Sequence, residues 1–414
     1  MQLADDDDGQ ANSLSDIPFA NLYMILGAPE TSAWSLVRPY KGVVESTLPC
    51  FQFPPSLTPD LINLASQITT EIHSSPRRRE FCITYPAKDD NPNDHHPMRL
   101  RVVWSPSALV GTSVVCRRLE AAPPPINDLG FDPGVLEWIT KPGGAVIRQD
   151  SQGYRPGGVV FCGNTSAGKT TSMTALIIHC LTQIGGFCYA LGTSPEYDIE
   201  GAISDRGFLV QIPVDETLSP HEWEDASIAA LKWNPAIVAF GEIGHTGPAK
   251  AFITTSSSNR LVTATMHAAS IPDAIDRLAA LASTSAMEVE NNKKILANNL
   301  SLIIYQELTE EGVMMQILDL AAWRKNNPGE VRKAFDGQSP DSVVKRAMED
   351  TQQICKYPEP YATAPMTDSS PPNSATNKQT DQKPATDNYP ATFAGGIPAS
   401  FGGALRSGPS GVRG

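Results

Sequence analysis

The sequence predicts an α/β protein, a mostly parallel sheet covered by helices on both faces, with a small α+β domain in front of it. Three observations carry this. From residue 157 onward, apolar strand-like runs alternate with helical stretches. Before residue 120 the runs are short and rich in β-branched and aromatic residues, with one helical stretch among them. Between the two lies Ala121-Ala122-Pro123-Pro124-Pro125, whose three prolines can continue neither a helix nor a central strand.

Taken in order, the N-terminus MQLADDDDGQ places four aspartates where a secretory signal would carry positive charge and then an apolar core. Residues 1–14 are expected to be a disordered acidic arm. In the N-terminal domain, 15–120, REFCITYP (79–86) and LRVVWSP (100–106) read as strands. The helix is LTPDLINLASQITTEI, with Thr58 as its cap and Pro59 in its first turn. Residues 121–156 are a linker leading into the second domain, 157–345. There GGVVFCG (157–163) is a buried strand, TTSMTALIIHCLTQI (170–184) a helix, and FCYALG and FLVQIPV are strands. A helix over 222–233, an apolar run over 236–241 and the strand LVTATMH (261–267) follow. Residues 271–345 are expected to be largely helical, through IPDAIDRLAAL, NNKKILANNLSLIIYQEL and VVKRAMED.

Residues 346–414 read as a disordered tail. The 57 residues from 358 to 414 include 9 Pro and 7 Gly, and too few large apolar side chains to offset the entropy of ordering them. FAGGIPASFGGAL is the stretch of this tail best suited to touch a partner. With tail and arm set aside, about 330 of the 414 residues remain, a length that suits two domains.

The chain carries 45 Asp and Glu against 32 Lys and Arg, a formal charge of −13, which argues against coating nucleic acid or an anionic membrane through its overall field. No apolar run reaches the ~18 residues of a spanning helix. Its seven cysteines are scattered without a C-x-x-C, so neither a disulfide framework nor a four-thiolate zinc site is expected, and a reducing cytoplasm is the expected setting. Arg77-Arg78-Arg79 reads as a solvated turn after Pro76, and His245 and the pair His95-His96 as surface residues.

One motif carries chemistry by itself. Gly163-Asn164-Thr165-Ser166-Ala167-Gly168-Lys169-Thr170 is a full match to G-x-x-x-x-G-K-[ST], placed after an apolar strand and at the start of a helix. Its glycines let the backbone wrap phosphates, and its N–H groups with the helix N-terminus supply oriented positive charge. Lys169 reaches the β- and γ-phosphates, Thr170 offers its hydroxyl to Mg²⁺, and Thr171 completes the binding segment. ATP and Mg²⁺ are therefore the expected cofactors. Such a loop needs a carboxylate at the end of a neighbouring strand to hold the metal or orient water, and the apolar run ending at Gly241 supplies Glu242.

With these pieces the sequence resembles the secretion and type IV pilus traffic ATPases, the family of pilus-retraction motors and of conjugation and type IV secretion ATPases. The resemblance rests on the P-loop, on N-P-A-I-V-A-F-G-E-I (234–243), and on N-R-L-V-T-A-T-M-H (259–267), which fits the end of the family's His box. S-I-P-D-A-I-D-R-L (270–278) resembles the helix that follows, and LSLIIYQEL (300–308) a later segment where the family often has Q-R-L. Upstream, Arg99-Leu100-Arg101-Val102 and Arg117-Arg118 resemble the N-terminal domain's arginines, and Ser15-Asp16-Ile17 its early S-D-I/L. The resemblance spans about 15–345 and is specific from 157 to 280.

It implies a RecA-like P-loop NTPase domain, ATP held between the two domains near a neighbouring subunit, and a motor working as a homohexamer with inner-membrane platform proteins. Direct nucleic-acid binding is not expected. His267 would approach the γ-phosphate and report hydrolysis, and Arg99, Arg101, Arg117 and Arg118 are candidate arginine fingers. The chain departs from the family at its Asp box, where Thr193-Ser194-Pro195-Glu196-Tyr197 lacks both leading acids. Glu196 is the candidate for polarising the attacking water, with Asp198 and Glu200 as alternatives. The family's Arg-Asp after Gly-Glu-Ile is Gly244-His245 here, and Ala236 replaces the usual Asp after Pro235. These departures leave a second expectation open, a nucleotide-binding regulatory or assembly subunit that hydrolyses weakly. A small-molecule kinase is disfavoured by the His box and the two-domain layout. The absence of a four-cysteine metal subdomain points to the retraction or type IV secretion/conjugation branches.

Overall fold

The structure is a computed structural model, and it describes residues 13–14, 19, 21–27, 34–36, 50–53, 55–86, 98–107, 111–150, 152–219, 221–309, 312–326 and 328–335. The acidic residues of the arm, Ser15-Asp16-Ile17, His95-His96, VVKRAMED and the tail 346–414 lie outside the described residues.

The N-terminal part is an antiparallel sheet of six strands, in the order β3-β2-β1-β6-β5-β4. These are β1 (Asn21–Ile25), β2 (Trp34–Leu36), β3 (Cys50–Gln52), β4 (Glu80–Tyr85), β5 (Met98–Ser107) and β6 (Gly111–Arg118). Helix α1 (Thr58–Ser74) covers one face, burying Leu61, Leu64, Ala65, Ile68 and Ile72 against Phe81, Ile83, Leu100, Val102 and Cys116. Leu57, not Thr58, occupies the cap position, and no side chain caps the helix; Thr58 is already its first residue. Leu14 is buried in the same core, so the acidic arm ends ahead of it.

Strand periodicity sorts the other face. Cys82 stands opposite Arg101 in the register of β4 and β5, and Arg101 opposite Arg117 across β5 and β6. Glu80, Cys82, Arg99, Arg101 and Arg117 therefore share the face away from α1. Arg118 stands opposite Leu100, on the α1 side.

The second sheet has eight strands, in the order β14-β13-β7-β12-β11-β8-β10-β9. Its middle is six parallel strands: β13 (Leu300–Thr309), β7 (Gly157–Gly163), β12 (Leu261–His267), β11 (Ile237–Glu242), β8 (Gly186–Gly192) and β10 (Gly207–Pro213). The short β9 (Gly201–Ala202) and β14 (Gly312–Asp319) close the edges antiparallel. Both faces are buried, as a parallel sheet requires. Val160, Cys162, Val238, Phe240, Val262, Ala264 and Met266 face α5 (Thr246–Ser256) and α6 (Ile271–Leu281). Val159, Phe161, Ile237, Ala239 and Leu261 face α3 (Lys169–Gln183).

Two expectations are corrected here. Helices hold most of the described residues of 271–335, but NNKKILANNLSLIIYQEL is not one helix: α7 (Ala286–Asn299) stops at Leu300, and a hairpin of β13 and β14 follows before the short α8 (Leu320–Asn326) and α9 (Pro328–Phe335). Leu302 and Ile304 pack on one face of the sheet and Ile303 and Tyr305 on the other. A strand buried on both faces has a continuous apolar run, which cannot be told from a buried helix by periodicity. Nor is 121–156 a bare linker. It forms α2 (Pro133–Thr140), capped by Asp132 at the N–H groups of Gly134 and Val135, and buries Val135, Trp138, Ile139, Val146 and Tyr154 beneath the second sheet. The Tyr154 hydroxyl donates toward the carbonyls of Cys180 and Gly185, fastening this segment to the end of α3. The remaining helix, α4 (Glu222–Lys232), matches the expected 222–233 within a residue.

Candidate functional site

The loop from β7 to α3 has the geometry of a phosphate cradle. Gly163 (φ 148°) and Gly168 (φ 79°) take backbone conformations that side chains resist, and Ser166 (φ 60°) lies in the left-handed region as well. Asn164, Thr165 and Ser166 are exposed at the rim, whereas Ala167 is buried beneath it. Gln306 of β13 lies under the loop and donates from Nε2 to the Ala167 carbonyl at 2.6 Å. Helix α3 begins at Lys169 and offers its N-terminus to the same space.

Lys169 is 6% exposed, and its ammonium donates to the Asn164 carbonyl at 2.6 Å and to Nδ1 of His267 at 3.3 Å. Burial pulls its pKa down from the ordinary 10.5, while Glu242 and Glu196 act in the opposite direction. An ammonium has no acceptor, so Nδ1 of His267 must accept and Nε2 must carry the imidazole proton. Nε2 then points to Oε1 of Glu242 at 3.3 Å. One imidazole thus bridges the P-loop lysine to the acid at the end of β11.

Glu242 reaches this place through a break in register. The pairing of β11 with β12 is irregular between Phe240 and Glu242, and Thr265 donates its hydroxyl to the Gly241 carbonyl at 2.7 Å. A bulge at a strand end re-aims the side chain that follows it. On the other side of the loop, the Thr170 hydroxyl donates to Oε1 of Glu196 at 3.1 Å. Thr171 and Tyr197 pair hydroxyl to hydroxyl at 2.8 Å. The altered Asp box therefore still delivers one carboxylate to the first turn of α3.

A cavity of about 600 Å³ opens beside Thr170, Glu196 and Glu242, between the second sheet and the N-terminal domain. Its N-terminal wall includes Arg78, Arg99 and Arg101. Arg99 pairs with Asp198 at 2.5 Å, and Arg101 with Glu80 at 2.7 Å. Arg117 and Arg118 do not line the cavity; the guanidinium of Arg118 instead lies 6.0 Å from the Phe19 ring. Of the basic run at 77–79, Arg79 stacks over Trp104 and Arg78 faces the cavity, so the turn is only partly a solvated one.

Several contacts here had no signal in the sequence, because each joins segments far apart in the chain. Cys82 meets the Ser194 hydroxyl at 3.1 Å, and the Asp198 N–H donates to the Glu120 carbonyl. His245, expected as a surface residue, lines the cavity, pairs with Glu216 and stands edge-on to Trp223. Glu200 is exposed and takes no part.

A hydroxyl and a carboxylate flanking a P-loop are hard oxygen donors that suit Mg²⁺, which keeps waters and phosphate oxygens as its remaining ligands. Thr170 and Glu242 are the residues that would hold it.

The family model described as "Type II/IV secretion system protein" matches residues 93–334, more than half of the chain. No curated protein matches the sequence. Among solved structures, the ATPase DotB of Legionella pneumophila is similar at 15% identity and a TM-score of 0.53, covering 82% of this chain and 84% of its own. The pilus retraction motor PilT with bound ADP is similar at 17% identity and a TM-score of 0.54, covering 82% of this chain and 87% of its own. The DotB ATPase of Yersinia pseudotuberculosis gives 16% identity and a TM-score of 0.51, covering 82% of each chain. At such identities the likeness is one of fold alone: a RecA-like α/β core preceded by an antiparallel N-terminal sheet.

Proposed function

Because the chain belongs to the type II/IV secretion system protein family, we propose that it is an ATP-hydrolysing motor of a type IV pilus or of a type IV secretion or conjugation machine. The observation that carries this is the bridge from Lys169 through His267 to Glu242. It ties the group that holds the phosphates to the acid at the end of β11, and through His267 to the strand that continues into α6.

In this reading the P-loop N–H groups and Lys169 hold the phosphates, and Thr170 with Glu242 holds Mg²⁺. The bound ion neutralises charge on the β- and γ-phosphate oxygens. Glu196 accepts a hydrogen bond from water at the cavity mouth, and the guanidinium of Arg99 or Arg101 balances charge from the N-terminal domain. His267 exchanges its Glu242 contact for a phosphate oxygen, donating from Nε2, so its position reports the state of the nucleotide. Turnover at subunit interfaces of a homohexamer is then converted to domain motion, with inner-membrane platform proteins as partners. Among the described residues no helix is long and apolar enough to cross a membrane, so work on a membrane would pass through such partners.

One observation favours a second reading, a regulatory or assembly subunit with weak hydrolysis. Ser194 stands where the family has an acid, and its hydroxyl is engaged by Cys82. Steady-state phosphate release by the full chain separates the two, with Lys169→Ala and Glu242→Gln as controls. A motor loses turnover in both variants; equal release by wild type and Lys169→Ala rejects the motor. Mass measurement with a non-hydrolysable ATP analogue tests the hexamer.

A further inference from the structure

We infer that Gln306 is a positioning residue of the phosphate loop, one that locks the Ala167–Gly168 peptide so that the Gly168 N–H faces the nucleotide. The inference rests on the nucleotide-binding reading above and deepens it.

The argument begins with an amide that has only one workable orientation. Gln306 is 2% exposed, and its side-chain nitrogen lies 2.6 Å from the Ala167 carbonyl oxygen. A carbonyl only accepts, so the NH₂ half of the amide must face it and the flipped amide would set oxygen against oxygen. Oε1 of Gln306 is buried with no hydrogen-bond partner among the described residues. Leaving a buried acceptor unmet is costly, on the order of 1–3 kcal/mol. The bond to Ala167 is retained despite that cost.

The carbonyl of Ala167 belongs to the same planar trans peptide as the N–H of Gly168, and in such a unit the two point in opposite directions. Holding the carbonyl down onto β13 therefore turns the Gly168 N–H up into the bowl of the loop. Without such a lock this peptide is free to flip. It precedes Gly168, whose φ of 79° and lack of a Cβ leave it free to accept a flipped plane.

The contact is close on both sides. A Cβ on Gly168 would stand 2.9 Å from Nε2 of Gln306, and one on Gly163 only 2.1 Å from the Gln306 carbonyl oxygen. The two glycines of the motif thus serve the approach of β13 from below as well as the approach of phosphate from above. Parallel pairing of β13 with β7, with Tyr305 opposite Cys162, brings Gln306 to this spot.

The test is the affinity of the full chain for a fluorescent ADP analogue, measured at pH about 5.5 and about 8 for wild type, Gln306→Leu and Gln306→Glu. Gln306→Leu should bind about 10-fold more weakly, ~1.4 kcal/mol, with KM for ATP raised more than kcat is lowered. Gln306→Glu should bind weakly at the higher pH, where a carboxylate faces the Ala167 carbonyl. Relative to wild type it should recover at the lower pH, where a protonated carboxyl can donate; burial favours that neutral form. A space-filling role alone would not give this recovery. Wild-type affinity in a folded Gln306→Leu, or the absence of recovery in Gln306→Glu, overturns the proposal. Should Gln306→Leu fail to fold, Gln306→Glu decides. If wild type itself binds no analogue, the nucleotide reading fails, a result distinct from loss in the variants alone.

Discussion

At the scale of residues, the chemistry is concentrated in a few side chains whose contacts cross between loops. Lys169 is nearly buried, yet it keeps two acceptors in reach. Lys169→Ala should lower phosphate release by roughly 10²–10³, the loss associated with removing one preorganised donor from a transition state. In the proposed mechanism Glu196 acts on water rather than on phosphate, so Glu196→Gln should lower turnover by about 10²–10⁴ while leaving nucleotide affinity near wild type. Lys169 also sets a pH dependence. Its folded pKa lies below the ordinary 10.5, so between the two values the unfolded chain binds more protons than the folded one. Stability contributed by this group therefore rises with pH through that window. In the proposed site nucleotide affinity moves the other way, because the ammonium that would hold phosphate is lost as pH climbs past the lowered value. Titration calorimetry across the alkaline range should show affinity falling earlier than a free lysine would allow, and the fall should vanish in Lys169→Ala.

Elements explain how these side chains are brought to one rim. Strands β7, β12, β11 and β8 run parallel, so their C-terminal ends deliver the P-loop, His267, Glu242 and the Glu196 loop to one edge of the sheet. Here the sequence was legible where a strand met a punctuating motif, as at Gly163 and at Glu242. It was illegible at 300–308, where apolar residues on both faces of a buried strand erase the alternation that marks exposed ones. Because Ile303 is buried between Val160 and Leu318 in the ladder, Ile303→Ala should cost about 2–5 kcal/mol in denaturant unfolding. A helical surface position would cost far less. At the start of α6, the Ser270 hydroxyl accepts from the Asp273 N–H, and Asp273 accepts in return from the Ala269 N–H. Ser270→Ala should cost about 1 kcal/mol and loosen the link between His267 and that helix.

For the molecule as a whole, the question is what ties the N-terminal sheet to the rim of the second sheet that carries the P-loop. Arg99 and Asp198 form the direct ion pair, but their side chains are 24% and 47% exposed. At such exposure the pair is worth no more than ~1 kcal/mol. A double-mutant cycle with Arg99→Ala and Asp198→Ala should return a coupling of that size, shrinking in high salt where the Debye length is about 3 Å. In the proposed motor, a weak tie suits an arginine that would trade a carboxylate for a phosphate during turnover. A coupling several-fold larger would mark the pair as a fixed structural element instead.

The sequence alone predicted the class of fold and marked the glycine-rich loop after β7 and the acid at the end of β11, because each depends on residues adjacent in the chain. Backbone torsions, helix starts and strand ends are set locally, and a motif of eight residues carries its own geometry. Only the tertiary structure decided which arginines face the cavity, that His267 joins Lys169 to Glu242, that His245 belongs to the cavity wall, and that Gln306 supports the loop from below. The His267–Glu242 and Gln306–Ala167 contacts join positions 25 and 139 residues apart, and the parallel order of the strands, not any local pattern, brings them within hydrogen-bonding distance.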